Sequence, residues 1–443
     1  MNIYFHVDEL KRDSIVASAL KKKFRALGHN LVYGNRITGP ILKLFHNAFD
    51  IIVFPRPHFI HDMVGDDSLN WDQEIVMLSS ESLGIICKDY EVMARTLLED
   101  TYFNDDTRYI DKIAAFCLWG ARQKQAIEMF APDVHKKCSI IGHPRHDKSS
   151  LKNSLKKQTK TRNIGFVTRA NGLNDYYGRM AIEGFEVLFD DHFQYEYINK
   201  KTGKKLKSKR NVAQPRNNLI VQSYDTESLL KIMKAFDGKD CKLFVRCHPK
   251  ENLDVWKYLF KKCSIEIEIS DSLIPITHWL DDIDVVIGPP STTFYDAAIE
   301  KTRCISIINL DKNRLNYIGE LWEENNELMK DISAPQTIQE IVDDAMIEKD
   351  FILTPSLKKT LMSEADYPEC RNSLDKFVNI CIDINMHKSS KKTRSINLFL
   401  YKTVSFVYQK MWSAKSFIIQ RDENSSMYTF KKSTVNFIDN LSE

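Results

Sequence analysis

The sequence lacks any run of ~18 uncharged apolar residues, which excludes a membrane-spanning helix. It has no CxxC pair. Its nine cysteines stand apart at 87, 117, 138, 241, 247, 263, 304, 370 and 381, which speaks against a disulfide frame and a zinc site. Several fall in apolar runs, so they read as reduced core thiols. Charge of one sign is also missing: 63 Lys and Arg against 60 Asp and Glu leave +3, and nothing global points to a nucleic-acid partner. The opening MNIYFHVDELKRD becomes charged from Asp8 onward, unlike a secretory signal. These absences predict a cytoplasmic protein. What is present is ordinary for a soluble globular chain: 443 residues, 43% hydrophobic and 28% charged. At ~150 residues per domain the length suggests two or three domains.

The first part of the chain alternates two periodicities. Short apolar runs occur at 2–7, 30–35, 50–56, 74–80, 113–120 and 138–144, with amphipathic helical patterns at 12–27, 89–100 and 121–130. Strands separated by helices predict βαβ units and a parallel sheet. Residues 148–162 are polar, basic and aperiodic, as a linker would be. A second series follows, with strand-like runs at 163–168, 218–223, 242–249, 265–270, 284–290 and 303–309, and helical patterns at 226–236, 252–262, 292–301 and 336–348. The expected fold class is therefore α/β, with two Rossmann-like domains facing a central cleft. The expected divisions are 1–147, a linker at 148–162, a second domain at 163–355 and a helical extension at 356–443.

Two strand ends of the second series carry chemistry. RCHPKE (246–251) puts His248, Pro249 and Lys250 where the apolar run KLFV stops. Ligands of open α/β sheets sit at such carboxyl ends, and Pro249 restricts the backbone of His248. His248 is then either a turn histidine or a donor to an anion. In VIGPPSTTFYDAAIEK (286–301), Ser291, Thr292 and Thr293 stand between a strand's end and a helix's first turn. They are either helix caps or hydroxyl donors of an anion site. An imidazole and three hydroxyls at one sheet edge make the stronger signal.

Together these motifs bring in a family. RCHPKE followed by GPPSTTFYDAA resembles the His-Pro and Ser/Thr-rich motifs of bacterial GT-B glycosyltransferases that use CMP-activated acidic sugars. VDELKRD (7–13), LGHNLVYGNR (27–36), SSES (79–82), CLWG (117–120) and IGHPRHD (141–147) are similar, in that order, to bacterial surface carbohydrate biosynthesis proteins. Those proteins are related to the Kdo transferases of capsule and lipopolysaccharide assembly. The resemblance covers roughly residues 1–310.

It implies that His248, Pro249, Lys250, Gln222 and Ser291–Thr293 hold the phosphate of a CMP-linked donor, so that an electrostatic clamp serves the leaving group without a metal. No Asp-x-Asp metal-binding triplet sits at a strand end, which agrees with a metal-independent reaction, and no cofactor is expected. In VQSYDTES (221–228) Asp225 matches a catalytic carboxylate, with Glu227 as a neighbouring substitute; a helix N-cap before TESLLKIM is the other reading. Glu81 would act as base toward an acceptor hydroxyl. Asp8, Arg12 and Arg145 are the acceptor-side candidates, with His6 and Lys11 beside them. Arg145 and Asp147 are also candidates for organising the domain crossing through a structural ion pair.

Two basic stretches lie outside the alternating pattern. Residues 200–210, KKTGKKLKSKR, hold seven Lys or Arg and read as an exposed loop, either simply solvated or in contact with anionic lipid or a phosphorylated acceptor. From Ile384 to Arg421 there is no Asp or Glu, while eight Lys or Arg interleave with Phe399, Phe406, Trp412 and neighbouring aliphatic residues. Such a helix either lies on a membrane or packs back on the first domain. The implied activity is transfer of Kdo or a related ulosonic acid to a lipid-linked glycan at the inner face of the cytoplasmic membrane. A CDP-polyol phosphotransferase of the same fold and a non-catalytic nucleotide- or glycan-binding module are the alternatives.

Overall fold

The computed structural model describes residues 1–7, 10–35, 38–57, 59–60, 71–79, 90–98, 108–147, 161–174, 194–198, 205–209, 213–270, 274–315, 327–386 and 397–408. These fall into two compact units. The first is drawn from Met1–Glu81, Tyr90–Leu151 and Glu369–Glu443, the second from Lys152–Pro368.

The first unit is built on six parallel strands: β1 (Asn2–His6), β2 (Asn30–Gly34), β3 (Ile51–Phe54), β4 (Glu74–Leu78), β5 (Ile113–Leu118) and β6 (Cys138–Ile140). Their order is β2-β1-β3-β4-β5-β6. β1 and β3 are buried along their whole length, which is why Ile3-Tyr4-Phe5 of β1 and all of β3 are apolar runs rather than alternating ones. Helix Leu10–Ala26 packs Val16, Ala17, Leu20 and Phe24 into the core beside Ile3 and Val53. The helix Ser373–Met386 returns to the same core through Leu374, Phe377, Val378 and Cys381. Its first turn is held by Asp147, whose Oδ2 accepts from the Leu374 N–H at 3.0 Å.

The second unit holds β7 (Arg162–Val167), an antiparallel hairpin of β8 (Gln194–Ile198) and β9 (Lys205–Lys209), then β10 (Cys241–Arg246), β11 (Glu268–Ile269), β12 (Val285–Gly288) and β13 (Arg303–Ser306). Five of these form a parallel sheet in the order β11-β10-β7-β12-β13. The chain moves outward from β7 in one direction through β10 and β11, then in the other through β12 and β13. This reversal is the topological switch point at which α/β sheets bind ligands.

The structure corrects several local expectations. Residues 218–223 are not a strand; they lie inside the 23-residue helix Ala213–Ala235. The apolar triplet Leu219-Ile220-Val221 suggested a strand, but the buried positions Val221, Asp225, Leu229, Ile232, Met233 and Phe236 recur at helical spacing. Asp225 is therefore in mid-helix and caps nothing. Residues 205–209 of the basic stretch form β9 rather than loop. The strand expected at 265–270 shrinks to Glu268–Ile269. Of the expected extension, Pro355–Ala365 groups with the second unit and Ser373–Met386 with the first. A helix at 397–408 follows in the first unit; Trp412 and the rest of the tail lie outside the described residues. No helix among the described residues is long and apolar enough to cross a membrane.

Candidate functional site

Three adjacent strands of the second unit end together. Arg246 of β10 pairs with Val167 of β7, and Ile287 of β12 pairs with Phe166. The residues that follow are Cys247-His248-Pro249, Thr168-Arg169-Ala170 and Pro289-Pro290-Ser291. They share the carboxyl edge of the sheet at its switch point. Gly288 allows this convergence: a Cβ there would lie 2.4 Å from Val167 Cγ2 and 2.8 Å from the Val167 carbonyl oxygen.

A buried acid, Glu251, ties β10 to β7. Its Oε1 accepts from the Ala170 N–H at 2.6 Å, and its Oε2 accepts from Thr168 Oγ1 and Trp256 Nε1, each at 2.6 Å. Burial pushes its carboxyl up, partly offset by these hydrogen bonds. Thr168 Oγ1 in turn accepts from the His248 N–H at 3.1 Å. The imidazole Nδ1 of His248 accepts from the Lys250 N–H at 3.2 Å. With Nδ1 engaged as an acceptor, a neutral ring carries its proton on Nε2, which is then a donor.

Gln222 and Asp225, one turn apart on helix Ala213–Ala235, face the loop after β7. Gln222 Oε1 accepts from the Gly172 N–H at 2.7 Å. Asp225 is held between two guanidinium groups: Arg314 Nε at 2.5 Å and Arg169 Nη2 at 3.4 Å. Arg169 also donates to the Pro290 carbonyl at 3.3 Å, linking the ends of β7 and β12. Glu227 is exposed and paired with Lys231. Ser291 Oγ accepts from the Thr293 N–H at 3.0 Å, so it caps the helix Thr293–Ile299, whereas Thr292 makes no side-chain capping bond. A cavity of about 500 Å³ lies elsewhere, at the opposite edge beside Cys241, Lys242 and Glu266.

In the first unit the switch point falls between β1 and β3. A narrow crevice there is lined by His6, Asp13, Phe54, Pro55 and His143. Arg145 places its guanidinium 4.4 Å over the Trp119 ring and its Nε 3.4 Å from His146 Nε2. Trp119 donates to the Ser79 carbonyl at 2.8 Å. CLWG and GHPRHD thus meet in one aromatic–basic cluster. Asp8 and Glu81 lie outside the described residues; so do the side chains of Lys11 and Arg12, whose backbone is in helix Leu10–Ala26.

The structure brings His248, Gln222, Asp225 and Ser291–Thr293 to one region of the second unit. It adds Thr168, Arg169, Glu251 and Arg314, which motif reading missed. Arg169 was within reach of the same strand-end rule, since it follows the run NIGFVT. Arg314 carries no local signal.

No protein-family description and no curated protein matches the chain. Solved structures do. The wall teichoic acid polymerase TagF, in a structure with CDPG, aligns at 9% identity over 88% of this chain and 90% of that one, with a TM-score of 0.52. The S. aureus MnaA–UDP co-structure aligns at 8% identity over 88% and 99%, with a TM-score of 0.49. The Methanocaldococcus jannaschii UDP-GlcNAc 2-epimerase with UDP-GlcNAc and UDP aligns at 10% over 86% and 100%, with a TM-score of 0.47. The likeness to the polymerase defines a fold and nothing finer: two α/β units with parallel sheets, the GT-B fold.

Proposed function

We propose that the chain is a GT-B glycosyltransferase of bacterial surface polysaccharide assembly, moving Kdo or a related ulosonic acid from a CMP-activated donor to a lipid-linked glycan. The observation that carries this reading is the convergence of His248, Arg169 and the hydroxyls of Ser291–Thr293 at the switch-point edge of the second unit, on a frame tied by Glu251. Such an edge suits a phosphate: its donors are fixed before the ligand arrives. In the transfer, the bond from the sugar's anomeric carbon to the CMP phosphate oxygen breaks and its electron pair stays on the phosphate. The His248 Nε2–H and the adjacent hydroxyls stabilise that charge, with Pro249, Lys250 and Gln222 shaping the loop around it. The acceptor hydroxyl bonds to the anomeric carbon and gives up its proton; Glu81 is the proposed base, and Asp8, Arg12 and Arg145 are the proposed acceptor contacts.

Asp225 fits a positioning role better than attack on the sugar. Two guanidinium partners and near-complete burial limit its reach, while its grip on Arg169 sets the edge. A second reading, a CDP-polyol phosphotransferase, draws on the fold shared with the polymerase solved with CDPG. There the acceptor attacks phosphorus, CMP leaves and the polyol phosphate moves. Mass analysis of a lipid-linked acceptor, incubated separately with a CMP-ulosonic acid and a CDP-polyol, separates the two. A gain of the ulosonic acid alone supports the proposal; a gain of polyol phosphate replaces it, and no gain from either donor overturns both.

A further inference from the structure

Helix 397–408 has two unlike faces. Leu398, Tyr401 and Ser405 are buried. Tyr401 meets Phe49 and Tyr4 edge-on, with ring centroids 5.0 and 6.2 Å apart, and Asn397 Nδ2 donates to Asn47 Oδ1 at 3.0 Å. The helix is therefore fixed to the first unit. At 100° per residue, the opposite face carries Phe406, Phe399, Thr403, Val407, Leu400 and Val404 in angular order. The five apolar side chains there are 37–69% exposed, Phe399 most of all. The one hydroxyl on this face is satisfied internally, since Thr403 Oγ1 donates to the Phe399 carbonyl at 3.0 Å. A helix seated on a soluble unit ordinarily turns charged residues outward; this one turns outward a contiguous apolar strip.

The strip is flanked by positive charge. Lys402 borders it next to Phe406 on the helix; partial burial, then repulsion from Lys402 and from Arg25, lowers the Lys21 ammonium. The sequence around the helix, from Ile384 to Arg421, has eight Lys or Arg and no acid. An apolar strip bordered by Lys402, in a basic stretch of sequence, complements an anionic bilayer surface, where headgroups meet the cations and the strip enters the outer acyl region.

We infer that the outward face of helix 397–408 is a docking surface for an anionic lipid bilayer, through which the first unit reaches a lipid-linked acceptor. The acceptor clause rests on the function proposed above; the docking itself does not.

The test is co-sedimentation of the full chain with vesicles of phosphatidylcholine alone and of phosphatidylcholine mixed with phosphatidylglycerol, without nucleotide. Wild-type protein should bind the mixed vesicles, and bind them less at high salt. Phe399→Ser with Phe406→Ser should weaken binding about a hundredfold. Lys402→Gln should weaken it about fivefold. All three positions are exposed, so unchanged thermal melting marks an intact fold. A wild-type chain that ignores both vesicles, or binds both alike, overturns the inference. So does a concentration-dependent dimer that the Phe substitutions abolish in the absence of vesicle binding. Failure of the enzymatic reading shows in the product assay and leaves this result untouched.

Discussion

Replacing Asp225 with alanine removes the acid from a pair of guanidinium groups. Arg314 holds both carboxylate oxygens, through Nε at 2.5 Å and Nη2 at 3.4 Å, and both side chains are only 2% exposed. Arginine cannot shed its proton in a protein, so Asp225→Ala keeps the Arg314 charge buried while taking away the carboxylate that both Nε and Nη2 hold. Breaking such a pair costs ~3–5 kcal/mol. Arg169, at 15% exposure, can turn toward water and adds little. Arg314→Met in the same chain takes the charge away while keeping most of the aliphatic volume. The double variant should therefore recover about half or more of the loss, a strong departure from additivity. The assay is hydrogen exchange across helix Ala213–Ala235, which reports this unit alone, supported by urea unfolding of the intact chain. A loss below about 1 kcal/mol for Asp225→Ala, or a double variant as unstable as the sum of the singles, would refute the buried-pair reasoning.

Two further outcomes follow from the site's frame. Burial raises the Glu251 carboxyl in the folded chain, so the folded state holds more protons than the unfolded state between the unfolded value, ~4.3, and the raised one. Its contribution to stability is then full below that window and lost as pH rises through the folded value. The stability difference between wild type and Glu251→Gln should fall with rising pH across the window in stepped denaturant titrations; a flat or rising difference contradicts the assignment. Gly288→Ala forces a Cβ against Val167 and should cost ~1–3 kcal/mol. It should also lower nucleotide affinity by spreading the ends of β7 and β12; unchanged stability and affinity would show that the close approach is not needed.

The strand-end chemistry was legible because parallel strands buried on both faces read as apolar runs, and Gly or Pro marks where they stop. That placed His248 and Ser291–Thr293 at one edge without coordinates. The helix Ala213–Ala235 was obscured because Leu219-Ile220-Val221 satisfies a strand and a helix equally. The Asp225–Arg314 pair spans 89 positions, and no local pattern marks such a contact. Glu251 was visible in RCHPKE, yet its role depends on Ala170 and Trp256, which only the fold brings to it. The return of Ser373–Met386 to the first core was likewise hidden, since an amphipathic helix announces a buried face but not its partner. In the tail, the aromatic and basic residues were plain, while the division of helix 397–408 into an anchored and an outward face required Tyr401 to be seen against Tyr4 and Phe49.

A cytidine-donor site at the edge formed by β10, β7 and β12 is tested most directly by calorimetric titration of the full chain with CMP, UDP, GDP and ADP, beside a His248→Ala variant of unchanged melting temperature. The expected result is preferential binding of CMP, weakened about tenfold or more in the variant, as loss of one hydrogen bond to a charged phosphate implies. Preference for UDP, GDP or ADP, CMP binding indifferent to His248, or no binding by the folded wild-type chain would contradict it.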